Sequence, residues 1–422
     1  MPHPAPPHAP SVHRPDSPYA WLRLVVTLLI VTVGSSGMYV ISVVLPAVQA
    51  DFGVARAAAS LPYTLLMIGF GVGGVLMGRL ADRYGVAWPL FFGAFSIGTG
   101  FIATSFAPSI MAFGLLQAVF IGLGSGAVFA PLVADTSLWF VRRRGIAVAI
   151  CASGNYVAGA VWPPIVQHFV ESDGWRTTYF GLGVFCALAM AGLALLLRER
   201  PPALDEPAPI APDANGRVPM DATLRPFGLS LGMAQGLLCV AGTACCVAMA
   251  MPQVHIVAYC VDLGFGAARG AQMLSVMLAF GIVSRLVSGL ICDRIGGLRT
   301  LMLGSALQGV ALLMFLPFDG LVPLFVVSAL FGLFQGGIVP AYAIIVREFF
   351  PPREASGRVG LVISFTLLGM ALGGWLSGKV FDVTGSYHAA FINGIGWNLL
   401  NLCIAGSLLW RARRAGTLAP VR

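Results

Sequence analysis

The sequence predicts an all-α membrane protein: twelve transmembrane helices arranged as two pseudo-symmetric six-helix bundles. Three observations predict it. Of the 422 residues, 58% are hydrophobic and only 10% are charged, with a mean hydropathy of +0.86. A soluble domain carries roughly 25% charged residues, so this chain cannot cover a water-facing surface. Apolar runs of about 20 residues recur, each long enough to cross a hydrocarbon core about 30 Å thick. The second half of the chain also repeats features of the first. The runs are continuous rather than alternating, which excludes a strand barrel.

Residues 1–20 form a Pro- and His-rich tail, expected to be disordered and without the apolar core of a cleaved signal peptide. The first bundle, 21–197, holds runs near 21–46, 57–79, 86–106, 109–139, 144–170 and 176–197. A polar, Pro-rich linker follows at 198–226. The second bundle, 227–411, holds runs near 227–262, 267–291, 299–317, 320–349, 356–381 and 388–410, and 412–422 is a basic tail. These are spans 1 to 12 in chain order. Eight cysteines, without CxxC spacing and mostly inside apolar runs, read as small buried hydrophobes rather than metal or disulfide chemistry.

The basic residues set the orientation. With both termini and the linker in the cytoplasm of an inner-membrane protein, the cytoplasmic side holds all 25 Lys and Arg except Arg56, Arg176, Arg269, Lys379 and Arg285. The net charge of +8 is therefore a topology signal, and nucleic acid is not an expected partner. A lipid bilayer is, and a monomer is expected.

GRLADRYG (78–85) matches GLICDRIG (289–296), and GLGSGAVFAP (122–131) echoes GLFQGGIVPA (332–341). Repeats at this offset mean a duplicated six-helix unit. On these grounds nearly the whole chain resembles a major facilitator superfamily transporter: 6+6 spans, a central linker, and G-x-L-A-D-R-x-G between spans 2 and 3 with a degenerate copy between 8 and 9. Gly78, Asp82, Arg83, Gly85 and their counterparts Gly289, Asp293, Arg294, Gly296 are read as a cytoplasmic gate motif. The glycines allow close helix approach and a tight turn. Asp82 can pair with a facing helix N-terminus or arginine when that side is shut. Val86 and Ala87 stand where the family usually has basic residues.

Span 8 is similar to the monocarboxylate and oxalate–formate branch, which carries an arginine four residues before the loop-opening glycine. Here that is Arg285 to Gly289. Several members of the branch have an aspartate four residues ahead of this arginine and a lysine in span 1. This chain has Gly281 and no charge in GSSGMYVISVV (34–44).

Arg285 lies about 12 Å inside the membrane edge marked by Asp293, near the midplane. A central charge costs about 2.5–3.5 kcal/mol, so it usually faces a cavity or a partner. The alternatives are a carboxylate substrate gripped by two parallel hydrogen bonds, a fixed ion pair, or snorkelling to the surface. Asp135 is the nearest acid in depth. Asn155, Tyr39 and Tyr342 are further candidates for substrate contact, each balanced against helix packing. His255 is the best proton-binding candidate, balanced against a histidine satisfied by neighbouring helices.

The sequence thus points to a secondary transporter of a small organic anion, a mono- or dicarboxylate, working by alternating access. Whether a proton, a counter-anion or nothing accompanies it stays open. The alternative is a proton-coupled drug or metabolite exporter of the same superfamily. No HExxH, GxSxG or nucleotide-binding loop occurs, so an enzyme or sensor is not expected, nor any cofactor or metal.

Overall fold

The structure, a computed structural model, describes residues 14–140, 142–199, 226–351 and 355–414. The two tails and the linker fall largely outside the described residues, as does the side chain of Asp82. Eleven helical stretches among the described residues are long and apolar enough to cross a membrane. One of them, Arg144–Leu195, is divided at Gly174, whose φ of 79° and ψ of 159° are not helical. Counting its two arms as spans 5 and 6 gives twelve.

Span 1 (Pro18–Phe52) is two helices meeting at Ser35, Pro18–Gly34 and Ser36–Phe52. Spans 2 and 3 are Arg56–Tyr84 and Ala87–Ser105. Span 4 (Ile110–Trp139) contains a π-helical turn at Gln117–Gly122. Spans 7, 8 and 9 are Leu231–Asp262, Ala267–Ile295 and Gly297–Met314. Span 10 (Leu321–Phe349) is broken at Gly336-Gly337. Spans 11 and 12 are Ala355–Thr384 and Tyr387–Arg414.

Local chemistry sets these boundaries. Ser17, Ser109 and Ser230 each accept a hydrogen bond from a first-turn N–H, capping spans 1, 4 and 7. Gly85 and Gly296 end spans 2 and 8 at φ of +87° and +82°, the left-handed turn that a side chain would resist.

Inside lipid, helices gain little by burying apolar surface, so close backbone approach decides their packing. A Cβ on Gly73 would lie 2.5 Å from the Leu123 carbonyl oxygen, fixing span 2 on span 4. A Cβ on Gly373 would lie 2.5 Å from the Val247 carbonyl oxygen, fixing span 11 on span 7. Gly73→Ala and Gly373→Ala should each destabilise the protein by about 1–3 kcal/mol through overpacking. The measurement is the melting temperature in detergent; unchanged melting would mean that these helices can separate freely.

Arg23 sits near the start of span 1. Its Nε and Nη2 donate to Asp135 Oδ2 at 3.2 and 3.0 Å, and its guanidinium lies 4.8 Å from the Trp139 ring. Both partners are buried, at 3% and 7% exposure. Asp135 is thus committed within the first bundle and is not a partner for Arg285.

The two bundles meet along spans 2 and 11 and along spans 5 and 8. On the first seam the contacts run from Arg56 and Asp382 through Ser60 and Gly378, then Thr64 and Ala371, to Gly71 and Leu367. Beyond that point an apolar cleft opens between Val72, Val75, Leu76 and Ser364, Leu368. On the second seam they run from Ala160 and Ser275 to Ala152 and Arg285. The bundles are therefore closed at one end and parted at the end that carries the Gly85 and Gly296 turns.

Candidate functional site

Arg285 sits where the closed part of the interface gives way to the open part. It is half-buried. Its Nη1 donates to the Ala152 carbonyl of span 5 at 2.8 Å, and its Nε reaches the Gly336 carbonyl of span 10 at 3.5 Å. Its Cζ lies 4.3 Å from the centroid of the Tyr156 ring. No carboxylate among the described residues comes within ion-pair distance of it, and Nη2 makes no hydrogen bond to a described residue. Neither a fixed acid partner nor snorkelling away from the interface describes this side chain.

The sequence explains why a neutral carbonyl is free to help. In a regular helix the Gly336 carbonyl would bond the N–H four residues on, but that residue is Pro340, which has none. The glycine pair then breaks span 10, and the loose carbonyl turns to the guanidinium. Irregular backbone at membrane depth is tolerated where it lines a cavity or is buried in protein. Pro164 does the same for the Ala160 carbonyl, which accepts a hydrogen bond from Ser275 Oγ across the bundle seam.

Two other predicted residues gather beside Arg285. Tyr39 donates its hydroxyl to Asn155 Oδ1 at 2.7 Å. The Tyr39 ring lies over Gly159, where a Cβ would be 2.9 Å from ring carbons and would also meet Leu278 of span 8. Asn155 is half-buried, and its Nδ2 makes no hydrogen bond to a described residue. Spans 1, 5, 8 and 10 therefore converge on Tyr39, Asn155, Tyr156 and Arg285. Two donors, Arg285 Nη2 and Asn155 Nδ2, are left without an acceptor among the described residues.

Tyr342, a candidate for substrate contact or packing, and His255, a candidate for proton binding or for satisfaction by neighbouring helices, are both held by neighbouring spans in this conformation and do not join the residues around Arg285. Tyr342 is fully buried and donates to Asn401 Oδ1 at 2.8 Å; Asn401 in turn donates to Ser305 Oγ at 2.7 Å. This ties spans 9, 10 and 12 together. His255 is also fully buried, with Nε2 2.8 Å from the Gly374 carbonyl and Nδ1 3.3 Å from the Tyr387 hydroxyl. It is satisfied by spans 11 and 12.

The closed end holds a charged cluster that the sequence reading did not assemble. The Asp382 carboxylate accepts from the Arg56 and Ala57 backbone N–H groups, both at 2.8 Å, capping span 2 from the other bundle. The Arg56 guanidinium donates to Asp262 at 3.1 and 3.2 Å and to the Tyr387 hydroxyl at 2.7 Å. It also lies 4.8 Å from the Phe381 ring. Arg56 is only 8% exposed. The available signal was that Arg56 is one of the few basic residues on its side while Asp262 and Asp382 end spans on that same side.

At the open end, Arg83, Asp293 and Arg294 are exposed, and a Cβ on Gly78 or Gly289 would meet nothing within 4 Å. The close approach expected of these two glycines is absent in this conformation, because the bundles are parted there. Glu348 of span 10 accepts from the Gly297 N–H at 3.1 Å, capping span 9 beside the second motif copy.

Comparison with known proteins agrees with this architecture. The sequence model of the Major Facilitator Superfamily matches residues 27–322 and 293–420. Monocarboxylate transporter 13 of Rattus norvegicus is 28% identical over 352 residues, covering 79% of this chain and 75% of that protein. The MFS-type transporter pynF of Aspergillus niger is 24% identical, covering 77% of this chain and 72% of that protein. Among solved structures, a bacterial homolog of the human lysosomal transporter Spinster superposes with a TM-score of 0.74 at 14% identity, covering 96% of this chain and all of that one.

Proposed function

The chain belongs to the Major Facilitator Superfamily and is a multi-pass membrane transporter of a small molecule, and we propose that its substrate is a monocarboxylate held by Arg285. One observation carries this: a guanidinium at the bundle interface whose partners among the described residues are neutral carbonyls and the Tyr156 side chain, with no carboxylate. An arginine so placed is undercompensated, and a visiting anion supplies the missing charge. Among the described residues the other buried arginines are occupied, Arg23 by Asp135 and Arg56 by Asp262. One open cation suits a monoanion better than a dianion. Nη2 of Arg285 and Nδ2 of Asn155 supply the donors for its carboxylate, and the similarity to a monocarboxylate transporter supports the same choice.

Alternating access follows from the same geometry. With both termini in the cytoplasm, the open end faces the cytoplasm and the Arg56 cluster is the outer gate. Arg285 belongs to the second bundle but is tied to Ala152 of the first. A carboxylate bound at Nη2 shares the guanidinium charge with the Ala152 carbonyl on Nη1, so binding changes the strength of a contact between bundles. A ligand moves a conformational equilibrium only through such a difference between states. Rocking outward would open the Arg56 cluster and bring Asp82, Asp293 and their loops against the opposite bundle, closing the cytoplasmic side.

The test is a thermal-shift screen of acetate, lactate, pyruvate and benzoate, with succinate as the dianion, on the purified protein and on Arg285→Ala. A ligand at 100 times its Kd adds about 2.7 kcal/mol to stability. At least one monocarboxylate should raise the melting temperature of the wild type, succinate should not, and Arg285→Ala should show no shift. A shift that survives in Arg285→Ala would place the anion elsewhere.

A further inference from the structure

We propose that Tyr156 is a positioning residue that holds the Arg285 guanidinium from across the bundle interface, with Gly281 providing the vacancy that admits its ring. The inference rests on the reading of Arg285 as an anion site, and it adds a residue that the sequence did not single out.

The geometry is a pair of matched helical steps. On span 5, Ala152 and Tyr156 are four residues apart and so share one face. On span 8, Gly281 and Arg285 are also four apart. Ala152 offers its carbonyl to Nη1 at 2.8 Å, and Tyr156 offers its ring face 4.3 Å from Cζ. The ring lies directly over Gly281: a Cβ there would be 2.5 Å from both Cδ1 and Cε1 of Tyr156. Any side chain at 281 would displace the ring. Tyr156 is itself buried, at 7% exposure, so its ring is packed in place over Gly281.

A cation set over an aromatic face is attracted by the ring quadrupole, more strongly where water is excluded. Two of the guanidinium's nitrogens are held by carbonyls and its face by the ring, which leaves Nη2 to point at a ligand. A long side chain frozen before the ligand arrives loses less freedom on binding. Because the ring belongs to the first bundle and the arginine to the second, this restraint lasts only while spans 5 and 8 keep their present register. Tyr156 would therefore make the grip of Arg285 on an anion differ between the two conformations.

The experiment reads Arg285 directly, without needing a ligand. Full-length protein in detergent is treated with phenylglyoxal, and modification of Arg285 is followed by peptide mass spectrometry, with exposed Arg269 on the same molecules as internal reference. Tyr156→Leu should raise the Arg285 rate relative to Arg269 by roughly five- to tenfold, the loss expected of a part-desolvated cation–π contact. Tyr156→Phe, which keeps the ring face, should stay within about twofold of the wild type. Gly281→Ala should raise the rate as Tyr156→Leu does, and it serves in place of that variant if Tyr156→Leu does not fold. An Arg285 rate unchanged by loss or displacement of the ring, or raised as much by phenylalanine as by leucine, overturns the proposal. If the rates behave as expected while no carboxylate shifts the wild type, the positioning role stands and the anion reading fails. If a carboxylate does bind, its half-saturating concentration should rise in Tyr156→Leu and be restored in Tyr156→Phe.

Discussion

Arg285→Lys should lose carboxylate transport by roughly 10- to 100-fold while the protein still folds and reaches the membrane, an effect that removal of one charge-assisted hydrogen bond can produce. The charge is kept, so a purely electrostatic requirement would be met. What is lost is geometry. Lysine has no planar fork, so it cannot hold Ala152, Gly336 and a carboxylate in one plane, and its ammonium does not stack on Tyr156 as a guanidinium does. It is also shorter in reach and more strongly hydrated, so water competes better for it in the open crevice. The measurement is counterflow of the carboxylate selected by the thermal-shift screen, in proteoliposomes with matched protein content. Counterflow does not depend on the direction of physiological transport or on a coupled ion. Wild-type rates in Arg285→Lys would show that only the charge matters, and wild-type rates in Arg285→Ala would remove the anion site altogether.

Arg285 was legible in the sequence because it is a lone charge in an apolar run, and no neighbour is needed to notice it. The span count was legible for a similar reason: length and hydropathy are local properties. The sequence reading ended one run at 170 and began the next at 176, and the structure assigns the break between them to Gly174. The interruptions at Ser35 and Gly336 were not foreseen, because their residues keep the run apolar. In hindsight Pro340 marks the second, four residues past the carbonyl that it frees. The directions of Tyr342 and His255 could not be read at all. Span 7 around His255 is buried nearly all round, so no polar stripe says which face meets the cavity, and the partner of Tyr342, Asn401, lies 59 residues further along the chain. Tyr156 was overlooked because its partner is a vacancy: Gly281 read as a missing acid, whereas its place is taken by a ring from the other bundle.

The charged cluster at the closed end illustrates the limit of local reading, since its partners are 206 to 331 residues apart in the chain. Its two halves can be separated by mutation. Arg56→Ala removes the guanidinium contacts to Asp262 and Tyr387 but leaves the backbone N–H groups capped by Asp382. Asp382→Ala removes the cap and leaves the guanidinium in place. Hydrogen bonds to charged groups contribute about 1.5–3 kcal/mol each, and two are lost with Asp382. Each 1.4 kcal/mol is about tenfold in a conformational equilibrium. Allowing for water that replaces part of the loss, Asp382→Ala should raise the population opened at this end by roughly tenfold or more. Ser60 reports on that opening, because it is fully buried against Gly378 in the closed seam. In a Cys403→Ser background, which removes the one exposed cysteine among the described residues, Ser60→Cys should label slowly with a membrane-impermeant maleimide. Adding Asp382→Ala should speed labelling about tenfold, Arg56→Ala should speed it too, and the double variant should open further, since the two changes break different bonds. Both single variants should also slow counterflow, because a transporter that cannot close one side cannot complete its cycle. Labelling rates equal to those of the parent in both variants would mean that the cluster is surface decoration and that apolar packing along spans 2 and 11 alone keeps this end shut.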